Sequence, residues 1–478
     1  MRNLIIFFVM FFVTVNISFA QLQGQARIDS LKAELPKAKQ DTNHVKLLAD
    51  LSFEYYRIDP DTGIKYGKQG VELAKKLSWK KGEADCYNSL GTNNISKSDY
   101  PKALEYYHKS LKINEELENK SGVANNLGNV GIVYESLSDY PKALEYYKKA
   151  YDINEELGRK MNMSNNMGNI ATVYAALSNL PKALEYYLKS LKIGEEIGAY
   201  DNIAMNLGNI GTLYQKQLDY TKALDYYYRA LEINERLGRK LNMANNLGNI
   251  GTIYHHQSNF EKSLEYLQRS LTINEEIGNL QGISGHLQKM GLIYHEKKEY
   301  VKSLENFNRA LKIYEDVSYG YGIGSIYGNI SNLYLTQIND PALENIEYNT
   351  NKAIEYGQKG LEILQEFGEL ERRSYIYKTL SDVYTKKGDF QLAYEAYVKF
   401  KKLTDSIFTI DSQKAIANLE TKRELDIKQK ENEILQQKSE LQHLDLIRKS
   451  QGMNLLTKEK EVQHLAFLKE QAERQEKE

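Results

Sequence analysis

This 478-residue chain contains one cysteine, six prolines and one tryptophan, and its charges cancel, with 63 Lys and Arg against 64 Asp and Glu. The single cysteine, Cys86, excludes an intramolecular disulfide, so stability has to come from packing. Balanced charge argues against a nucleic-acid partner, which calls for a basic face. Beyond the stretch 4–15 there is no second apolar run of membrane length. No Ser-His-Asp or Cys-His arrangement emerges, and no carboxylate pair stands out from the solvated charge, so the expectation is a non-enzyme without cofactor.

What the chain does have is a period. Tyr134, Tyr174, Tyr214, Tyr254, Tyr294 and Tyr334 fall forty residues apart. Asn-Asn-Leu-Gly-Asn-Val-Gly-Ile-Val-Tyr at 125–134 returns at 245–254 with three apolar or small exchanges, and Pro-Lys-Ala-Leu-Glu-Tyr-Tyr opens at Pro101, Pro141 and Pro181. Self-similarity at a fixed period of this length means stacked supersecondary units rather than one globular core.

Residues 122–160 show what one unit is. Leu127, Val130, Gly131 and Tyr134 are spaced i, i+3, i+4 and i+7, one face of a helix. Ser138-Asp139-Tyr140-Pro141 breaks the pattern: Asp139 can accept from freed backbone N–H groups, and Pro141 suits the start of the next helix. The second helix presents Ala143, Tyr147, Ala150, Ile153 and Leu157 as its expected buried face, and Gly158 supplies the stop. Each unit is thus a helical hairpin, kept tight by Gly131, Ala143 and Ala150. Most of the 37 tyrosines fall at such core positions or in Tyr-Tyr pairs, so packing accounts for them first.

These residues resemble the tetratricopeptide repeat, with Leu127 for its usual Trp, Val130-Gly131 for Leu-Gly, then Tyr134, Ala143 and Tyr147. The family's terminal proline is absent, Glu155 stands there, and the second helix runs on. That is similar to the forty-residue variant of the Leu-Gly-Asn adaptors and kinesin light chains. The resemblance implies an all-α, right-handed superhelical solenoid over 44–411. Its repeats read as 44–80, 82–120, 122–160, 162–200, 202–240, 242–280, 282–320, 322–370 and 372–411, the eighth with an insertion near 339–351. Residues 21–43, with Ile28, Leu31 and Leu35 on one side, read as a capping helix.

The ends differ in composition. Arg2, the apolar run 4–15 and Ser18-Phe19-Ala20 make residues 1–20 a secretory signal peptide cut after Ala20, with an uncleaved anchor as the alternative. No cysteine stands at the cut, so no lipoprotein is expected, and the mature chain is expected in the periplasm or outside the cell. From 412 to 478 the chain is polar and charged. Ile427, Ile434, Leu441, Leu455 and Val462 lie at multiples of seven, while Lys430, Gln437, Arg448 and Lys458 fall on the same seam and Gly452 interrupts it. A weak coiled coil or a long single helix is expected, with a homodimer through 412–478 open. Signal peptide, repeats and coiled coil together look like the sensory half of bacterial membrane-anchored signalling proteins of histidine-kinase or adenylyl-cyclase type. The sequence therefore reads as a stand-alone exported adaptor or scaffold, or as such a sensory portion lacking its output domain.

On the first helix, Asn125, Asn129 and Ile132 lie within about 60° of one another, opposite the buried face. The same sites hold Asn165, Asn169 and Thr172, then Met205, Asn209 and Thr212, then Asn245, Asn249 and Thr252. Gly128, Gly168, Gly208 and Gly248 sit beside them and leave gaps through which a ligand chain can approach. A carboxamide offers donor and acceptor together and so matches a peptide backbone. In the resembling adaptors, asparagines on this face of the concave groove hold an extended peptide. The candidate groove is therefore Asn125, Asn129, Asn165, Asn169, Thr172, Asn209, Thr212, Asn245, Asn249 and Thr252, for a peptide or protein ligand, with a membrane-associated partner open. The alternative is that these amides cap or crosslink helices, which is the reading for the second stripe, Asn126, Asn166, Asn206 and Asn246. Ser89 and Lys289 end the ladder. His255, His256, His286 and His295 cluster without carboxylate or cysteine at ligand spacing, so no metal is expected. The glycines of 320–324 lack a preceding strand, and Asp59-Pro60-Asp61-Thr62-Gly63 lacks the downstream Glu of a calcium loop.

Overall fold

The forty-residue sequence period is built on a backbone period of twenty. Helices α6 (Lys120–Ser136) and α7 (Tyr140–Glu156) each hold 17 residues, separated by three. Every twentieth residue from Ser78 to Ser318 has a positive φ. At each such turn the chain closes a Schellman motif; at the first turn of the type repeat, Asp139 N–H donates to Tyr134 O at 2.8 Å and Ser138 N–H to Glu135 O at 2.9 Å. The Asp139 carboxylate then accepts from Lys142 N–H, with Pro141 in the first turn, so stop and start share four residues.

The computed structural model describes residues 19–475 except 341, 342 and 344. Of the expected signal peptide, 1–20, residues 1–18 lie outside the described residues, and its last two begin a helix, α1, over Phe19–Glu34. The pairs that follow are α2 (Thr42–Glu54) with α3 (Pro60–Lys76), α4 (Lys80–Ser96) with α5 (Tyr100–Glu116), and α6 with α7. Next come α8 (Lys160–Ala176) with α9 (Leu180–Ile197), α10 (Tyr200–Lys216) with α11 (Tyr220–Leu237), and α12 (Lys240–His256) with α13 (Phe260–Glu276). The last are α14 (Leu280–Glu296) with α15 (Tyr300–Asp316), α16 (Gly320–Ile338) with α17 (Ile346–Glu366), and α18 (Leu370–Lys387) with the start of α19 (Phe390–Gln475). No strand occurs among the described residues. The last six residues of the 339–351 insertion are helical, because α17 already begins at Ile346.

The core repeats with the sequence. Val130, Val133, Ala143, Tyr147 and Ala150 are fully buried. Gly131 makes room for this: a Cβ there would lie 2.7 Å from the Tyr147 ring. Tyr134 is half-buried and stacks on Tyr146 at 5.4 Å, and the pair recurs as Tyr174–Tyr186, Tyr214–Tyr226 and Tyr254–Tyr266, each at 5.5 Å. One expected core residue is misplaced. Leu157 is the C-cap of α7 and is 40% exposed, while Asn154 takes the buried place one turn earlier. At the N-terminal end, Ile28 and Leu31 of α1 are buried with Leu51 and Tyr55.

Helix α19 carries the chain beyond the repeats. It runs 86 residues without a break, through the composition change at 411 and through Gly452. The compact unit that holds the repeats extends to Lys414, and a separate unit runs from Ala415. In that unit Ile427, Ile434 and Val462 are exposed.

Candidate functional site

The first helices α8, α10, α12 and α14 line a cavity of about 980 Å³. Of the residues expected in the groove, Asn165, Asn209, Thr212, Asn245 and Asn249 line it. Asn209, Asn245 and Asn249 make no side-chain hydrogen bond to any described residue. Their face is free because the same helices spend the opposite face on Ile210 and Ile250, both fully buried. Asn165 is tied in: its Oδ1 accepts from Asn202 Nδ2 at 3.1 Å, and Asn202 Oδ1 accepts from Asn206 Nδ2 and from Ser164 Oγ, each at 2.8 Å. Met161, Tyr200 and Met205 add exposed apolar surface to the lining.

The remaining expected residues lie outside this cavity, and most have partners. Asn125 Oδ1 accepts from Arg159 at 3.3 Å, and Asn129 Nδ2 donates to Asn88 Oδ1 at 2.9 Å. Asn169 is half-buried and unbonded among the described residues. The Thr172 hydroxyl donates to Gly168 O at 3.1 Å and lies 2.9 Å from Tyr187 Oη, and Thr212 repeats this with Gly208 O and Tyr227 Oη. These threonines therefore anchor tyrosines arriving from the second helix. In α6, Ile132 replaces the threonine, and Tyr147 Oη donates instead to Glu135 at 2.6 Å, whose carboxyl burial pushes up. Against α12, Leu267 of α13 replaces the tyrosine, so Thr252 Oγ1 is left to accept from Lys289 Nζ at 3.0 Å.

The glycines and the second asparagine stripe serve packing between first helices. A Cβ on Gly128, Gly168 or Gly208 would meet Asn166, Asn206 or Asn246 of the next repeat at 3.6–3.7 Å. The gaps thus open onto the neighbouring helix, although Gly208 and Gly248 also line the cavity. Asn126, Asn166, Asn206 and Asn246 are all buried, and Asn126 binds Asn88, Asn114 and Ser110 at 3.0–3.2 Å.

Sequence reasoning missed the charged members of the site. Asp201 lines the cavity and is held by Arg239 through two bonds of 2.6 and 2.7 Å, which depress its pKa. Lys289 and His286 also line it, where the ladder was expected to end. Burial lowers the Lys289 pKa, and burial, with Lys289 one turn away, brings His286 down to about 4. The signal was the period itself: Lys289 lies forty residues beyond Asn249, and His286 forty beyond Asn246. Among the described residues no cluster of three His, Cys, Asp or Glu side chains could hold a metal, and no helix is long and apolar enough to cross a membrane.

The family model for the tetratricopeptide repeat matches residues 59–156, 161–236 and 202–276. The chain carries tetratricopeptide repeats. No curated protein matches the sequence. Among solved structures, the apo form of RapI is 13% identical, with 76% of this chain and 98% of that one covered at a TM-score of 0.55. The apo form of the quorum sensor NprR from B. thuringiensis is 14% identical, with 76% and 99% covered at 0.50. At such identity these likenesses establish the fold of the tetratricopeptide array and nothing finer.

Proposed function

We propose that the chain is an exported adaptor that holds an extended peptide or protein segment in the cavity between its first helices. The observation that carries this reading is the set of unbonded carboxamides Asn209, Asn245 and Asn249 in a cavity of about 980 Å³. Each amide can donate and accept, which suits the alternating N–H and C=O groups of an extended chain. Met161, Tyr200 and Met205 offer apolar area to its side chains. Export rests on Arg2, the apolar run 4–15 and Ala20, and the mature chain begins at Gln21. The C-terminal helix pairs with a second copy along Ile427, Ile434 and Val462.

The test is selection of a displayed random ten-residue peptide library on the mature chain. Chosen peptides are then titrated against the parent and against a variant carrying Asn209→Ala, Asn245→Ala and Asn249→Ala. Loss of three amide contacts is expected to weaken binding by about tenfold or more, with unchanged helical circular dichroism. Equal binding to both proteins would make these asparagines bystanders and sink the groove reading.

A further inference from the structure

We infer that the last hairpin of the array is covered by the last hairpin of a second copy of this chain, through an aromatic stripe on α19. The inference rests in part on the pairing proposed above for the C-terminal helix and carries it into the repeats.

In the earlier repeats the second helix packs between its own first helix and the first helix of the next hairpin. Its aromatic is then enclosed: Tyr147, Tyr227 and Phe307 are fully buried. Tyr397 holds the same place in the ninth repeat, yet it is 49% exposed. The cause is local. Gly131, Gly211 and Gly291 leave room for the three buried rings, since a Cβ on any of them would lie 2.5–2.9 Å from the ring. In the ninth repeat that glycine is Ser381, whose hydroxyl donates to Ala393 O at 2.9 Å and fills the space. Ala393 and Ala396 make the buried contact instead, and the Tyr397 ring turns outward. The eighth repeat answers the same exchange differently, by setting Gly357 against Ser331.

Tyr397 does not stand alone. Phe390, Tyr394, Val398 and Phe408 are between 45% and 73% exposed. At about 100° per residue all five fall within an arc of about 100°, a stripe about 27 Å long. The outer face of a terminal repeat is ordinarily polar, and a contiguous exposed apolar patch marks an interaction site. Among the described residues no further hairpin follows to cover it, because α19 continues as helix to Gln475.

The chemistry of the stripe selects its occupant. Lys401 and Asp405 lie within the same arc, both exposed and 4.0 Å apart. Their charges cancel, so the stripe lacks the excess of cations that an anionic lipid surface calls for. A two-fold pair needs a face that complements itself, and one charge of each sign on each copy supplies that. Phe and Tyr provide the contact favoured at interface centres. The same helix carries Ile427, Ile434 and Val462, the seam proposed to meet a second copy, so one partner serves both.

The experiment is sedimentation equilibrium on the chain from Gln21 onward, with the parent beside Ile434→Glu and beside the pair Tyr394→Glu with Phe408→Glu. Tyr394 and Phe408 are 69% and 73% exposed, so unchanged thermal unfolding is expected. Should the pair unfold early, Phe408→Ser takes its place. The stripe pair is expected to raise the dimer dissociation constant about tenfold or more. A stripe pair that dimerises like the parent, while Ile434→Glu does not, would overturn the stripe and leave the seam standing. The converse keeps the stripe and removes the seam. A parent that stays monomeric overturns both. Flotation with anionic phospholipid vesicles, seen for a monomeric parent and lost in the stripe pair, would assign the stripe to a lipid surface instead.

Discussion

Every twentieth residue from Ser78 to Ser318 turns the chain through positive φ, and only at Gly158, Gly198, Gly238 and Gly278 is there no side chain to oppose it. Leu218 is the most costly of the others: its φ is +61° and its side chain is 70% exposed, so it gains little burial for the strain. Leu218→Gly is expected to stabilise the chain by about 1 kcal/mol, read as a higher urea midpoint. The converse change, Gly238→Ala, is expected to cost a similar amount. A Cβ at Gly238 would meet nothing within 4 Å, so only the backbone is tested. A null result at both sites would mean that the Schellman bonds, not the φ preference, set these turns. The sequence shows Gly158 as a stop, but it hides Ser138, which does the same work, because serine has no conformational signature of its own.

Along one helix, two glycines three residues apart have opposite meanings. On α10, a Cβ at Gly211 would lie 2.9 Å from the Tyr227 ring, whereas at Gly208 it would make ordinary contact with Asn246 at 3.6 Å. Gly211→Ala is expected to destabilise by about 1–3 kcal/mol through overpacking. Gly208→Ala is expected to be neutral or to stabilise by up to about 1 kcal/mol, the helix-propensity gain. Thermal unfolding of the two variants side by side decides this, and equal losses would reject the packing account. The same contrast explains what was legible in the candidate site. Helical periodicity points Asn209, Thr212 and Asn249 away from the core, and the structure has them lining the cavity. It cannot say what a second helix brings to that face, and so Tyr187 and Tyr227 claim Thr172 and Thr212 unseen. Lys289 was visible at the right offset, but its change of residue type made it look like the end of the groove rather than part of its wall.

For the whole molecule, repetition is what made the fold readable, since the same hydrophobic pattern is tested once per hairpin and errors at one unit are outvoted by its neighbours. Where repetition stops, composition is what remains to be read. The boundary expected after Asp411 does not interrupt α19, because a helix satisfies its backbone internally and can leave a packed environment without ending. What changes there is the burial of its side chains: Ile427, Ile434 and Val462 are between 47% and 66% exposed. The proposed pairing with a second copy would cover this apolar seam, and Lys430, Gln437, Arg448 and Lys458 on the same seam would keep it weak. Sedimentation equilibrium of the chain from Gln21 onward is therefore expected to show a reversible monomer–dimer exchange that tightens with concentration. Ile434→Glu, which puts a carboxylate into the seam of the second unit, is expected to leave the monomer with unchanged unfolding of the array. A parent that stays monomeric across the accessible range, or a variant that dimerises equally well, removes the seam from the assembly and leaves α19 as a solvated single helix.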